Sequence, residues 1–396
     1  MKDDKKLELL LERFYNRFNQ YNTKVLEKMG ESIKKFDGVS PTVAHQIAQE
    51  LKYGTDIDDL IAELSELSGK SIKDIRESFD LVAEENVAFA EVYAKAKNME
   101  FVDYKDNDQL KRLVKAIAGE TNATFKNISN AKAIGFVLKD TNGNKIFKNL
   151  KDTYIDLIDE AVFNAEVGVK DYQSAMRGVI KQLADSGVKI HEEKVGYPSG
   201  YNRRIDSSVR QNVLTGVRQL NLEVQKMVGR EFGSDGVEIS AHSPCAEDHL
   251  PIQGKQYSNA EFKKLNASLE RPIGQYNCRH FVFSIVLGVN QPSYSKKMLN
   301  EMKKESQKIV EFEGKKYTKY EATQVQRKLE TAIRREKDRQ IISRASGDKD
   351  GVSIAQKNIT TLTNKYKKFS KSVGLDTYKN RLSVANYKRI NVKKMN

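Results

Sequence analysis

Along the first half of the chain, apolar residues recur at helical spacing. Leu7, Leu11, Phe14, Phe18, Tyr21 and Val25 follow at alternating steps of four and three, continued by Met29, Ile33 and Phe36. One face of a long helix is therefore apolar. Asp37-Gly38 ends it, and Ser40-Pro41 supplies an N-cap followed by proline at the first helical position. Val43, Ile47 and Leu51 mark a short second helix. Thr55 caps a third, whose first turn holds Asp56, Asp58 and Asp59, where the helix dipole favours carboxylates. Gly69 is expected to close that helix, and Ser71 to start another that buries Ile72, Ile75, Phe79 and Val82. Further helices are expected near 108–130, 149–167 and 171–186, with a turn signal over 139–144 and a stop at Gly187.

After Gly187 the pattern changes. Residues 196–202, Gly-Tyr-Pro-Ser-Gly-Tyr-Asn, read as a loop or the turn of a hairpin. A helix over about 206–230 follows, with Val209, Val213, Val217, Leu220, Val224 and Val228 on one side and Asp206 at its start. Residues 237–240 and 280–287 read as short strands. Four of the six prolines fall between 244 and 292 and stiffen the loops there. From 293 onward the pattern is helical again. A basic helix spans roughly 318–345, and Ala355, Ile359, Leu362, Tyr366, Phe369 and Val373 form an unbroken a/d seam. The two helices are expected to pair as a hairpin, seams inward and lysines outward. The fold class predicted is mainly α, in three parts. These are a helical scaffold over 1–186, a small α+β module over 187–292 with loops pinned by a His/Cys cluster, and a basic helical tail over 293–396.

Composition sharpens this. The 396 residues are 39% hydrophobic and 31% charged, enough for buried cores under a polar surface. No stretch has the run of about 18 apolar residues that spans a membrane. Met1-Lys2-Asp3-Asp4-Lys5-Lys6 leads into an amphipathic pattern without the apolar core of a secretory signal, so a soluble, cytosolic protein is expected. Two cysteines cannot build a disulfide framework. The net charge of +14 is unevenly placed: residues 293–396 carry 27 Lys and Arg against 11 Asp and Glu, and the remainder is close to neutral. A phosphate backbone or an acidic protein surface would suit such a tail, although lysines also serve simply to solvate a helix face. The residues that would meet phosphate are Arg327, Lys328, Arg334, Arg335, Lys337 and Arg339 on the first helix, and Lys357, Lys365, Lys367, Lys368 and Lys371 on the second.

Three of the five histidines and both cysteines fall within 242–280: His242-x-x-Cys245-x-x-x-His249, then Cys278-Arg279-His280. Imidazole and thiolate are the ligands Zn²⁺ prefers, and four of the five would close a tetrahedral site joining two long loops. The spacing is not that of a standard finger. The same residues could equally be hydrogen-bonded histidines and small buried thiols. A catalytic variant, a metal-dependent nuclease, would use His242, Asp248, His249 and His280 to activate water; no separate carboxylate cluster accompanies them. There is no phosphate-binding glycine loop and no nucleophile elbow.

Several elements, in order, resemble the phage minor capsid protein 2 family. They are Tyr201-Asn202-Arg203-Arg204-Ile205-Asp206 with Thr215-Gly216-Val217, then Ile239-Ser240-Ala241-His242, His249 and Gln253-Gly254-Lys255-Gln256-Tyr257-Ser258. Tyr276-Asn277-Cys278-Arg279-His280 runs on to Gly288-Val289-Asn290-Gln291-Pro292-Ser293-Tyr294, and Gln324, Gln326, Arg327, Glu330, Ile333 and Arg334 complete the set. Ile252 stands where the family usually has tryptophan, and Cys245 is not expected from the family, which leaves His242, His249, Cys278 and His280 as sufficient ligands. The resemblance implies a virion protein of the phage head interior, made in the host cytoplasm. It implies contact with the portal and major capsid proteins and sequence-independent contact with double-stranded DNA, in head assembly or in DNA packaging and ejection.

Overall fold

The computed structural model describes residues 4–96, 102–128, 131–140, 142–167, 171–194, 197–231, 233–274 and 278–391. The fold is mainly α. In chain order it runs α1 (Asp4–Lys34), α2 (Pro41–Tyr53), α3 (Asp56–Ala96), α4 (Asp108–Ile128), β1 (Ile134–Lys139), β2 (Lys145–Asn149), α5 (Leu150–Glu166) and α6 (Tyr172–Ser186). Next come β3 (Lys189–Lys194), β4 (Tyr197–Arg204), α7 (Ile205–Glu231), β5 (Gly236–Ile239), β6 (Gln256–Ser258), α8 (Asn259–Ser268) and β7 (Val282–Ile285). The chain ends with α9 (Lys296–Gln307), β8 (Ile309–Phe312), β9 (Lys315–Thr318), α10 (Lys319–Ser346) and α11 (Lys349–Ser372). Gly196, Tyr276 and Asn277 of the sequence motifs, and Thr141 of the 139–144 turn, lie outside the described residues.

Two compact units are each assembled from separated segments. One holds Met1–Glu12, Lys70–Phe125 and Arg210–Gln324; the other holds Arg13–Gly69, Lys126–Val209 and Val325–Asn396. The sequence suggested divisions in chain order, whereas these units interleave, because long helices such as α3, α7 and α10 begin in one unit and end in the other.

Two helix expectations change. Gly69 does not stop α3, which runs unbroken from Asp56 to Ala96. One exposed glycine costs a helix only about 1 kcal/mol, and Leu64, Ser68, Ser71, Ile75 and Phe79 continue a single buried stripe across it. In α2 the buried face is Ala44, Ala48 and Leu51, while Val43 is exposed. Ser40 caps α2 with Pro41 at its first position, as the sequence indicated.

The second unit contains a four-stranded antiparallel sheet of order β2-β1-β3-β4. The 139–144 turn closes the β1–β2 hairpin, where Asp140 Oδ1 accepts from the N–H groups of Asn142 (2.9 Å) and Asn144 (2.8 Å). This hairpin interrupts what reads as an all-helical run. Of the segment read over 196–202 as a loop or the turn of a hairpin, residues 197–202 lie in strand β4, which pairs antiparallel with β3; Pro198 is tolerated because β4 is the sheet's edge. Leu11, Phe14, Phe18, Tyr21, Val25, Met29, Ile33 and Phe36 are all buried, so the first apolar stripe is a core face.

In the same unit α10 and α11 form the expected antiparallel hairpin. Gln326 meets Ser370 (2.9 Å), Glu330 meets Tyr366 (3.2 Å) and Gln340 meets Gln356 (2.9 Å), a constant register along the pair. Gly347 turns the corner at φ +85°, and Asp348 caps α11 through the Gly351 N–H (2.9 Å). Ala355, Ile359, Tyr366, Phe369 and Val373 of the seam are buried.

The first unit carries the three-stranded sheet β6-β5-β7 and the hairpin β8-β9. Val237, Ile239, Ile252, Phe262, Ile273, Cys278 and Val282 form one apolar cluster, so Cys278 belongs to a core as well as to the His/Cys group. Gly216 of α7 has no room for a side chain: a Cβ there would lie 2.3 Å from Thr121 Oγ1 and 2.7 Å from Phe79 Cζ.

Candidate metal centre and cationic surfaces

The strands β5 and β7 bring the two halves of the His/Cys motif together. β5 leads directly into His242, and β7 follows directly on His280. The structure gathers all five residues into two overlapping groups that share His280: His242, Cys245 and His280, and His249, Cys278 and His280. Within each group the ligand atoms lie within 4.8 Å of one another. Cys278 Sγ is 3.7 Å from His249 Nδ1 and 3.3 Å from His280 Nδ1, and Cys245 Sγ is 3.7 Å from His280 Nε2. A tetrahedral zinc with bonds of about 2.3 Å to sulfur and about 2.0 Å to nitrogen would set those atoms about 3.6 Å apart. The residues fit a metal ion of that kind.

Neighbouring groups decide which nitrogen each ring presents. The His242 backbone N–H donates to Gln253 Oε1 (3.0 Å), which fixes the orientation of that amide, because a backbone N–H can only donate. The same oxygen lies 3.0 Å from His280 Nε2, so Nε2 carries the proton and Nδ1 turns its lone pair toward Cys278. His249 Nε2–H donates to the Arg271 carbonyl (2.6 Å), leaving its Nδ1 lone pair also facing Cys278. Two rings oriented in this way, each held by an acceptor behind it, resemble the outer shell that fixes metal-binding histidines.

Electrostatics separate the two groups as well. Burial and the neighbouring histidines push His280 down to about 2, and burial with Arg279 and Arg218 nearby brings His242 to about 4, so both rings are neutral at physiological pH. Burial and the nearby Cys278 push the Cys245 thiol up to about 12. Burial also opposes ionisation of Cys278, but the His249 ring 3.7 Å away and the Gly274 and His280 backbone groups outweigh it and hold this thiol below its ordinary value. Cys278 is thus the sulfur closer to the thiolate that metals bind.

Asp248, a candidate carboxylate for the catalytic variant, is engaged by both arms of the Arg271 guanidinium. Sequence alone did not single out Arg271, 23 residues from its partner, nor Ser306, whose hydroxyl accepts the Cys245 N–H at 3.1 Å. Gln253 was visible only as part of the Gln-Gly motif. The rest of that motif is explained by packing: Gly254 sits at φ +67°, Gln256 donates to the buried Glu238 carboxylate (2.9 Å), and Ser258 caps α8 in a capping box.

The basic residues of α10 and α11 divide into two sets. Arg334 donates to the Tyr15 hydroxyl (2.7 Å), Lys337 to the Leu382 carbonyl (2.6 Å) beneath the Tyr387 ring, and Arg339 pairs with Glu336 (3.0 Å) and Asp185 (3.2 Å). These three are committed within the fold. Arg327, Lys328 and Arg335, and Lys357, Lys365, Lys367, Lys368 and Lys371, are exposed.

The family model for phage minor capsid protein 2 matches residues 3–371, nearly the whole chain. The chain belongs to this family. Membership gives it a structural role in the phage capsid, among the other components of the head, and a virion location. No curated protein and no solved structure matches the chain. Among the described residues no helix is long and apolar enough to cross a membrane.

Proposed function

We propose that this protein is a non-enzymatic component of the phage head that docks on the portal or the inner capsid and meets packaged DNA, assisting head assembly or DNA packaging and ejection. In this reading residues 1–186 are the scaffold, 187–292 a module stiffened by a structural zinc, and 293–396 the segment that faces the genome. The observation that carries it is the two-sided character of α11: an apolar seam buried against α10 on one side, five exposed lysines on the other. Lysine is a point charge suited to phosphate, and no base-reading motif accompanies these residues, so the contact should be independent of sequence. Zinc would be held by His249, Cys278 and His280, supplying a rigid tie between the 242–254 loop and the start of β7.

Two measurements test the reading. The purified protein should retain random-sequence duplex DNA with a steep salt dependence, and should co-assemble with portal or capsid shell. Binding to neither overturns it. Cleavage of the duplex with Mg²⁺, Mn²⁺ or Zn²⁺ would replace it with a metal-dependent nuclease.

A further inference from the structure

We propose that the exposed face of α9 is a second DNA-backbone surface, separate from α10 and α11 and mounted on the His/Cys module. It rests on the reading that the protein meets DNA. At 100° per residue, Lys296, Lys297, Lys303 and Lys304 fall within an arc of about 120°. The contacts of α9 settle which way that arc faces. Ser306 is buried and its hydroxyl bonds the Cys245 N–H (3.1 Å) and Ser243 Oγ (3.3 Å). Leu299 packs on Gly254, so close that a Cβ there would lie 2.3 Å from its Cδ2. Leu299, Met302 and Ser306 form the inner side, and the four lysines are all exposed.

None of the four lysines forms an ion pair or side-chain hydrogen bond among the described residues. Of the two acids of α9, Glu305 pairs with Lys319 (3.5 Å), and Glu301 is exposed at the border of the lysine arc. Lys308, exposed just past the helix, extends the positive field, whereas in the β8–β9 hairpin that follows Glu311 stands opposite Lys316.

The chemistry favours DNA over a protein. Protein interfaces centre on buried apolar, aromatic or arginine anchors and are depleted in lysine. This face has no aromatic, no arginine and no apolar residue between its lysines. From Lys296 to Lys304 the helix rises about 12 Å, a length of duplex axis over which each strand presents three to four phosphates at about 3.4 Å of rise each.

The test uses the full chain on random-sequence duplex. The variant K296Q/K297Q/K303Q/K304Q should bind with a log K against log salt slope shallower by about 2 to 4, at roughly 0.9 per lost phosphate contact. Its metal content should equal that of the unaltered protein, since no ligand is touched. A second measurement needs no variant: these lysines should be protected from acetylation by an amine-reactive reagent when duplex is present. An unchanged slope, equal acetylation with and without DNA, or protection by an acidic head protein alone would overturn the proposal. A parallel K357Q/K365Q/K368Q variant keeps the two readings apart. If only that variant changes the slope, the α9 surface fails alone; if the unaltered protein binds no duplex, the genome-facing reading fails with it.

Discussion

Gln253 Oε1 lies 3.0 Å from His280 Nε2, and by accepting that proton it leaves Nδ1 of the ring for a metal. Gln253→Ala should therefore lower zinc affinity about 10- to 100-fold, the usual cost of removing an outer-shell partner. Cys278→Ser should abolish stoichiometric binding and lower thermal stability, because metal-binding free energy is folding free energy in such sites. Cys245→Ser should keep the metal. Chelator competition on the three variants is the measurement, and loss of zinc from Cys245→Ser would move the site to the other group.

Gly254 carries a similar weight through packing. Its φ of +67° is costly for any other residue, and an added Cβ would collide with Leu299 of α9. Gly254→Ala should destabilise the unit by about 1–2 kcal/mol from the backbone alone, more with the clash. It should also weaken metal retention, since Gln253 moves with it. Denaturant midpoints with and without chelator would show both effects.

A buried ionic network holds the other unit. Arg204 and Asp206 are both buried and paired at 3.1 Å, and Arg204 also pairs with the buried Asp338 of α10 (2.5 Å). Asn19 and Asn22 of α1 add amide hydrogens to Asp206 (3.3 Å) and Asp338 (3.4 Å). Arg204 serves both carboxylates, so Arg204→Met strands two buried charges without water and should cost about 3–5 kcal/mol. Replacing Arg204, Asp206 and Asp338 together by apolar residues of similar size should cost less than the single change. A triple variant as unstable as Arg204→Met would mean the network acts by shape rather than charge.

Much of this was legible in the sequence, and the exceptions have physical causes. Heptad and helical spacing located α1, α7, α10 and α11 because one face of each is buried. The break expected at Gly69 failed because packing on both sides of an exposed glycine outweighs its propensity. The β1–β2 hairpin was hidden because its strands are short and only the turn between them is distinctive. The five His and Cys residues were found by ligand chemistry. Their division into two groups was not, because it depends on Gln253 and Arg271, whose roles are set by folding. Charge counting likewise placed Arg334, Lys337 and Arg339 with the outward lysines, and only the tertiary contacts show that they point inward.

Burial pushes both Lys189 and Lys337 down to about 8, with Arg204 and Arg335 adding to the effect at Lys189. The unfolded value is about 10.4. Between the two, the unfolded chain holds protons that the folded chain has released, so stability rises with pH from about 8 toward 10. Above about 10 the trend reverses, because burial raises the buried Tyr21 and Tyr172 hydroxyls above their ordinary value and the unfolded chain ionises first. Urea midpoints from pH 7.5 to 11 should pass through a maximum near 10, and Lys337→Met should flatten the rise. A midpoint that falls steadily from pH 8 would contradict the assigned burial.

The two sets of cations on α10 and α11 should separate in solution. Arg339 lies between Glu336 and Asp185, so Arg339→Gln removes a contact of the fold and no phosphate contact. It should lower the unfolding midpoint and leave the salt slope for duplex DNA as it was. Lys357, Lys367 and Lys371 stand on the exposed side of α11, opposite the buried Tyr366 and Phe369. Changing all three to Gln should leave the midpoint within about 0.5 kcal/mol, as surface substitutions do. Their loss should make the slope shallower by up to about 2.7, at 0.9 per contact. If the Arg339 variant instead weakened DNA binding in proportion to salt while the lysine variant did not, the genome would have to meet the opposite face of the hairpin.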